Sequence, residues 1–266
     1  MKEIRLARKI VKTLIKDRMQ YPARLFADTT SIVARCGILL LLYSYVFGLN
    51  NGNINGATFA MVAWSIFFYF TFSTLGLSRI SRAIAQDIAS GHIEVLFSKP
   101  IAYLFYRVWW QIGAGVYPFL ITTIFGSLAL AFMVSFPETM GVPLFLPTLV
   151  LVFIGAMVVS LSVYIIVGLL AFWIEDVNPV HWLVDKAVMI LGGSYLPVAL
   201  FPDFMYKIAL YSPFGASVFV THTVYKSWAM NWYKLIGVQM FWALVLGVSI
   251  YIMFSRAVKR VSVNGG

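Results

Sequence analysis

Charge is scarce in this chain of 266 residues. Asp, Glu, Lys and Arg make up 11% of it, whereas soluble domains carry about a quarter. There is one cysteine, Cys36, so an internal disulfide is excluded and dithiol redox chemistry with it. The three histidines, His92, His181 and His222, lie in three separate segments and offer no clustered ligand set for a metal. No G-x-x-x-x-G-K-(S/T) loop is present, so nothing of that kind cradles ATP. Short alternating segments typical of barrel strands are missing too. The N-terminus lacks the apolar core and small-residue cleavage site of a signal peptide.

Apolar sequence fills the space that these absences leave. The chain is 61% hydrophobic, with a mean hydropathy of +0.87. Lipid leaves no water for unpaired backbone groups, so this composition predicts an all-α integral membrane protein, 1–266 as one domain. The net charge of +10 resembles that of a nucleic-acid binder. Its distribution points instead to membrane topology and to no nucleic-acid partner.

At about 100° per residue, Ile4, Leu6, Ala7, Ile10, Val11, Leu14 and Ile15 share one half of a helix. Lys2, Arg5, Arg8, Lys9, Lys12 and Lys16 share the other. Residues 1–22 are therefore expected to form an amphipathic helix against membrane lipid, ended by Tyr21-Pro22. Apolar runs then predict spans over 25–48, 57–77, 111–136, 145–173, 186–202 and 234–254. The first span contains Arg35, and an intramembrane arginine is a functional candidate. Pairing with Asp28, or snorkelling, is its structural alternative, and Arg24 and Asp28 are spaced to pair as well. Phe68 and Phe72 belong to an aromatic face in the second span that suits an apolar path or plain packing. Ala156, Ser160 and Gly168 place small residues at helical spacing in the fourth. The fifth run is short and broken by Gly192, Gly193 and Pro197, with Tyr195 between them. Broken helices survive at depth only where protein or a watery cavity covers the freed backbone. Residues 203–233 then form an outer re-entrant segment of short helices. Glu175 to Asp185 forms an acidic turn with His181, and a metal site there is the weaker reading.

Charges sort these spans. Eight basic residues lie between Lys2 and Arg24, and Arg79, Arg82, Lys99, Arg107, Lys186, Arg256, Lys259 and Arg260 fall on the same side. Only Lys207, Lys226 and Lys234 fall on the other. The excess places both termini in the cytoplasm, in a multi-pass protein of the cell membrane.

The polar window 79–108 is too charged for hydrocarbon and must leave it. Asp87 can open a short helix as an N-cap, Gly91 can kink it, and Pro100 stops any helix beyond the kink. Ile88, Ile93, Val95, Leu96 and Phe97 are apolar groups rimmed by charge, a pattern that marks a protein contact.

The stretch Ile88-Ala-Ser-Gly-His-Ile-Glu-Val-Leu-Phe-Ser-Lys-Pro-Ile101 resembles the coupling-helix segment of ABC-2 type transporter permeases. Gly192-Gly-Ser-Tyr-Leu-Pro-Val-Ala-Leu-Phe-Pro202, with Ser212-Pro-Phe214 after it, is similar to the broken fifth helix and outer hairpin of the same family. The amphipathic N-terminus matches its connecting helix. His92 and Phe97 depart from its commoner residues. The resemblance implies six transmembrane helices and no catalysis on this chain. It implies a partner ATP-binding-cassette ATPase carrying ATP and Mg, and a second permease subunit. Arg82, Asp87, Gly91, His92, Ile93, Glu94, Leu96, Lys99 and Pro100 would then couple to the ATPase. Arg35, Phe68, Phe72, Gly192, Gly193, Tyr195 and Pro197 would line the path for a lipid, lipid-linked, peptide or drug-like substrate. An ion-coupled secondary transporter is the alternative, although no inverted repeat or mid-span carboxylate pair accompanies it. An intramembrane enzyme would need a nucleophile or metal cluster at depth, and none is evident.

Overall fold

The computed structural model describes residues 2–20, 22–225 and 228–264. It is almost wholly helical: α1 (Lys2–Gln20), α2 (Pro22–Leu49), α3 (Phe59–Ser73), α4 (Arg79–Ala89), α5 (His92–Phe97), α6 (Tyr103–Met133), α7 (Phe145–Leu169), α8 (Asn178–Leu191), α9 (Asp203–Tyr211), α10 (Pro213–Ala216) and α11 (Trp228–Asn264). One two-stranded hairpin pairs β1 (Asn53–Ile54) with β2 (Ala57–Thr58). Asn55 and Gly56 form its turn with φ of 52° and 80°, a pairing that left-handed Asn-Gly turns favour.

Four helical stretches among the described residues are long and apolar enough to cross a membrane: Ile32–Leu49, Tyr103–Met133, Phe145–Phe172 and Met230–Val258. The expected spans 57–77 and 186–202 are each realised differently. α3 has 15 residues and α8 has 14, roughly 20 Å of helix against about 30 Å of hydrocarbon. α3 stops at Ser73, short of the expected end at Leu77, and Gly76 at φ 60° turns the chain into α4. α6 starts at Tyr103, ahead of the expected span at 111–136, so the helix takes in Trp109 and Trp110.

α7 is the central post. Its small residues do what their spacing predicts. A Cβ on Gly168 would lie 2.9 Å from Ile84 Cβ and from the Ser81 carbonyl, so α4 packs directly on the backbone of α7. A Cβ on Gly155 would meet the Gln239 amide, so α11 packs as closely on another face. Gln239 Nε2 donates to the carbonyls of Val152 and Ala216 at 3.0 and 3.1 Å, joining α7, α10 and α11. α1 lies on the start of α6, where Val11 and Leu14 cover Gly113.

Both helix breaks are satisfied by side chains from elsewhere, because a buried carbonyl without a partner is costly. Gln111 Nε2 donates to the carbonyls of Leu75 and Gly76 at 3.2 and 2.9 Å. At the second break α8 stops at Leu191, Gly193 turns with φ 80°, and the Tyr43 hydroxyl donates to the Tyr195 carbonyl at 2.6 Å.

The tight α4–α7 contact sets an expectation. Gly168→Val forces α4 off α7 and costs about 1–3 kcal/mol, typical of overpacking. Thermal unfolding of the purified protein in detergent reads the loss. Gly37→Ala, at a site with nothing within 4 Å, serves as the control and leaves the midpoint unchanged or slightly higher.

Candidate functional site

The corner between α4 and α5 is a built structure rather than a loose loop. Gly91, at φ 70°, links the two helices, a conformation that favours glycine. Asp87 does not open a helix there. It lies in the last part of α4, buried, and accepts from the Tyr103 hydroxyl at 2.7 Å and from Arg107 Nε at 2.6 Å. Arg107 Nη2 completes the ion pair. The guanidinium also sits 6.0 Å from the Tyr103 ring centre and 5.9 Å from that of Tyr106. This carboxylate is therefore a clasp that ties α4 to the start of α6.

Ile93 and Leu96 are corrected in the same way. They are 3% and 5% exposed and pack in a core with Ile80, Ile84, Tyr103 and Leu169. Burying them within the chain itself satisfies the apolar pattern, so they are not free anchors for a partner. Phe97 joins this core through edge contacts with Tyr103 and Phe254. The surface left outside consists of Gly91, His92, Glu94, Val95, Ser98, Lys99 and Pro100, and Arg82 is exposed on α4. Val95, at 54% exposure, is the apolar residue of α5 that faces outward.

A second tie holds the corner to α8. Ser81 Oγ and His181 Nδ1 are 2.7 Å apart, and the His181 ring packs against Tyr164. The Tyr164 hydroxyl donates to Asp185 at 3.0 Å. Burial, with Arg82 nearby, pushes the His181 imidazole below its ordinary value, against the pull of Asp185. His181 is thus a neutral packing residue, and no group of three or more metal-ligating side chains occurs among the described residues.

The expected path residues do not form one surface. Phe68 and Phe72 meet in an apolar cavity of about 280 Å³ between α3, α6 and α7, lined also by Phe119 and Phe153. Gly192, Gly193 and Pro197 are buried in the break after α8, and Tyr195 is exposed beside them. Arg35 is exposed on α2 and is not among the residues that line the cavity. Its pairing with Asp28, and that of Arg24 with Asp28, fall outside the side chains described. Sequence reasoning missed Tyr103, Gln111 and the Ser81–His181 tie. Only Gln111, a polar residue opening an apolar run, carried a local signal.

Beside this geometry, the sequence comparison is specific. The sequence matches the ABC-2 family transporter protein family over residues 33–265, and the chain belongs to that family. It is accordingly the membrane-embedded permease component of an ABC-type transporter, a class that works with an ATP-binding-cassette ATPase. No curated protein matches the chain in sequence.

The ties at the corner lead to two expected outcomes. Asp87→Ala leaves the Arg107 charge without its partner and destabilises the fold by roughly 3 kcal/mol. Pairing it with Arg107→Leu recovers part of that loss, and a double-mutant cycle on thermal midpoints measures the coupling. The second outcome concerns pH. Because His181 is depressed in the fold, the unfolded chain protonates first. Stability is complete above the ordinary value of 6.5 and is lost as pH falls through the depressed folded value. His181→Gln flattens this dependence as pH falls below the ordinary value of 6.5, and thermal midpoints of both proteins on either side of it show the difference.

Proposed function

We propose that this chain forms half of an export pathway, driven by a separate ATPase that docks on the α4–α5 corner. The observation that carries this reading is the exposed ridge of His92, Glu94 and Val95, mounted on the buried Ile93 and Leu96 and locked by the Asp87 clasp. A force applied at the ridge reaches α6 through Arg107 and α8 through His181. Arg82, Gly91, Lys99 and Pro100 form the rim of this contact, and Ile93, Leu96 and Asp87 support it from beneath. ATP and Mg bind the ATPase, and this chain carries no catalytic group.

The ring contact between Phe254 and Phe97 brings the end of α11 to the same end of the bundle as α5. α1 lies near that end as well, on the start of α6. The basic residues gathered there support six crossings in the cell membrane with both termini cytoplasmic, and α1 lying in the lipid interface. Two permease chains, identical or homologous, would enclose the path with two ATPase chains. Within it, the Phe68–Phe72 cavity, the Gly192–Pro197 break with Tyr195, and Arg35 on the open face of α2 are the candidate contacts for a lipid, lipid-linked, peptide or drug-like substrate. No observation favours the ion-coupled alternative, since the buried Asp87 is already paired.

Val95→Asp is expected to weaken ATPase binding by about 2 kcal/mol, roughly thirty-fold, without harming the fold. Ile93→Asp instead lowers the thermal midpoint of the isolated permease. Copurification with the ATPase and single-cysteine crosslinking test both. If cysteines at 91–95 never reach the ATPase while cysteines at 175 and 176 do, the coupling element is the other turn.

A further inference from the structure

A second feature lies at the far end of the bundle. α3 runs from the β-hairpin to the α4–α5 corner, so the hairpin marks the opposite face. A cavity of about 810 Å³ opens there between the hairpin, the turn at Val198–Leu200, α9 and the start of α11. Three of its lining side chains carry a buried polar atom without a partner: His222 Nε2, the Tyr225 hydroxyl and Trp228 Nε1. The residues are 4%, 7% and 2% exposed.

An indole N–H only donates, and an unpaired buried donor carries a desolvation cost that a bound acceptor removes. Two other indoles of this chain are paired: Trp64 donates to the Ser135 carbonyl at 3.2 Å and Trp242 to the Tyr211 carbonyl at 2.8 Å. Trp228 lacks such a partner and lines a cavity far larger than one water needs. Asn231 and Lys234 line the same cavity and come after Trp228 along α11, so the helix presents a donor, an amide and a cation in succession. The facing wall is apolar, built from Met61, Val198 and Phe201. Asp203 is the acid that lines the cavity, and it sits in the first turn of α9, where the helix dipole stabilises its charge.

We propose that this cavity binds an amphiphile whose headgroup is an oxygen anion. Trp228 donates to the headgroup oxygen, Lys234 neutralises its charge, and His222 offers a second polar contact in either tautomer. The apolar wall takes the first part of the attached chain. The site is distinct from the α4–α5 corner and does not depend on the ATPase.

The test uses the purified full chain in neutral maltoside detergent, with native mass spectrometry counting bound ligand. The probe is dihexanoyl phosphatidylglycerol, compared with dihexanoyl phosphatidylcholine and with glycerol 3-phosphate. Phosphatidylglycerol is expected to bind best, and about ten-fold more weakly in Trp228→Phe and in Lys234→Gln. Lys12→Gln combined with Lys16→Gln, which weakens the basic face of α1, leaves this binding unchanged. Equal binding of glycerol 3-phosphate would overturn the amphiphile in favour of a free phosphate. Equal binding of phosphatidylcholine would overturn the anionic headgroup. Wild-type affinity in both cavity variants means that water alone fills the space, and the proposal fails. Lys234 is exposed, so Lys234→Gln decides alone if Trp228→Phe does not fold.

Discussion

A charged group away from water must be paired, and the Asp87–Arg107 pair is where this chain meets that constraint. A carboxylate at 5% exposure with no cation beside it would carry a large desolvation penalty. The pairing therefore dictates geometry. It sets where α4 ends relative to the start of α6, and it brings Tyr103 beneath the corner. Ile93, Leu96 and Phe97 then have a surface to pack on, and that packing turns the remaining face of α5 outward. The exposed ridge is thus a by-product of a buried charge that had to be neutralised.

The same logic governs the rest of the bundle at the level of the backbone. Each interruption of a helix frees carbonyls that lipid cannot satisfy. Gln111 covers the break at Leu75–Gly76, and Tyr43 covers the one at Tyr195. Gln239 bridges α7 to the Ala216 carbonyl, at the end of a four-residue helix. These few polar side chains in an apolar protein are cross-braces between elements remote in sequence. Small residues complete the scheme by letting α4 and α11 reach the backbone of α7.

Much of this is legible in the sequence, for physical reasons that can be named. Helical periodicity marks α1, and Gly91 marks the corner because a left-handed turn favours that residue. Gly192, Gly193 and Pro197 mark the break after α8. The clasp is hidden because Tyr103 and Arg107 come 16 and 20 residues after Asp87, a separation with no helical meaning. Ile93 and Leu96 mislead because an apolar stripe does not reveal whether its cover is another protein or the same chain. The second span reads as reaching Leu77 because Leu75 and Leu77 keep the stretch apolar after α3 has stopped at Ser73. Charges at Arg256 and beyond suggest an end near residue 254, yet α11 continues to Asn264, since a charged residue does not terminate a helix.

The separations involved also bear on how the protein is made. The clasp joins residues 16 and 20 apart, and the Tyr43–Tyr195 bond joins residues 152 apart. Short loops close at little entropic cost, and chains emerge from the ribosome N-terminus first. The corner can therefore set as soon as the start of α6 has been synthesised, before α7 exists. The first span must wait for most of the chain before its tyrosine finds the Tyr195 carbonyl. Throughout that interval α2 has α3 to pack on, through Tyr43 and Phe47 against Val62, Ile66 and Phe70, and the Tyr195 bond is a brace added late to a wall already standing.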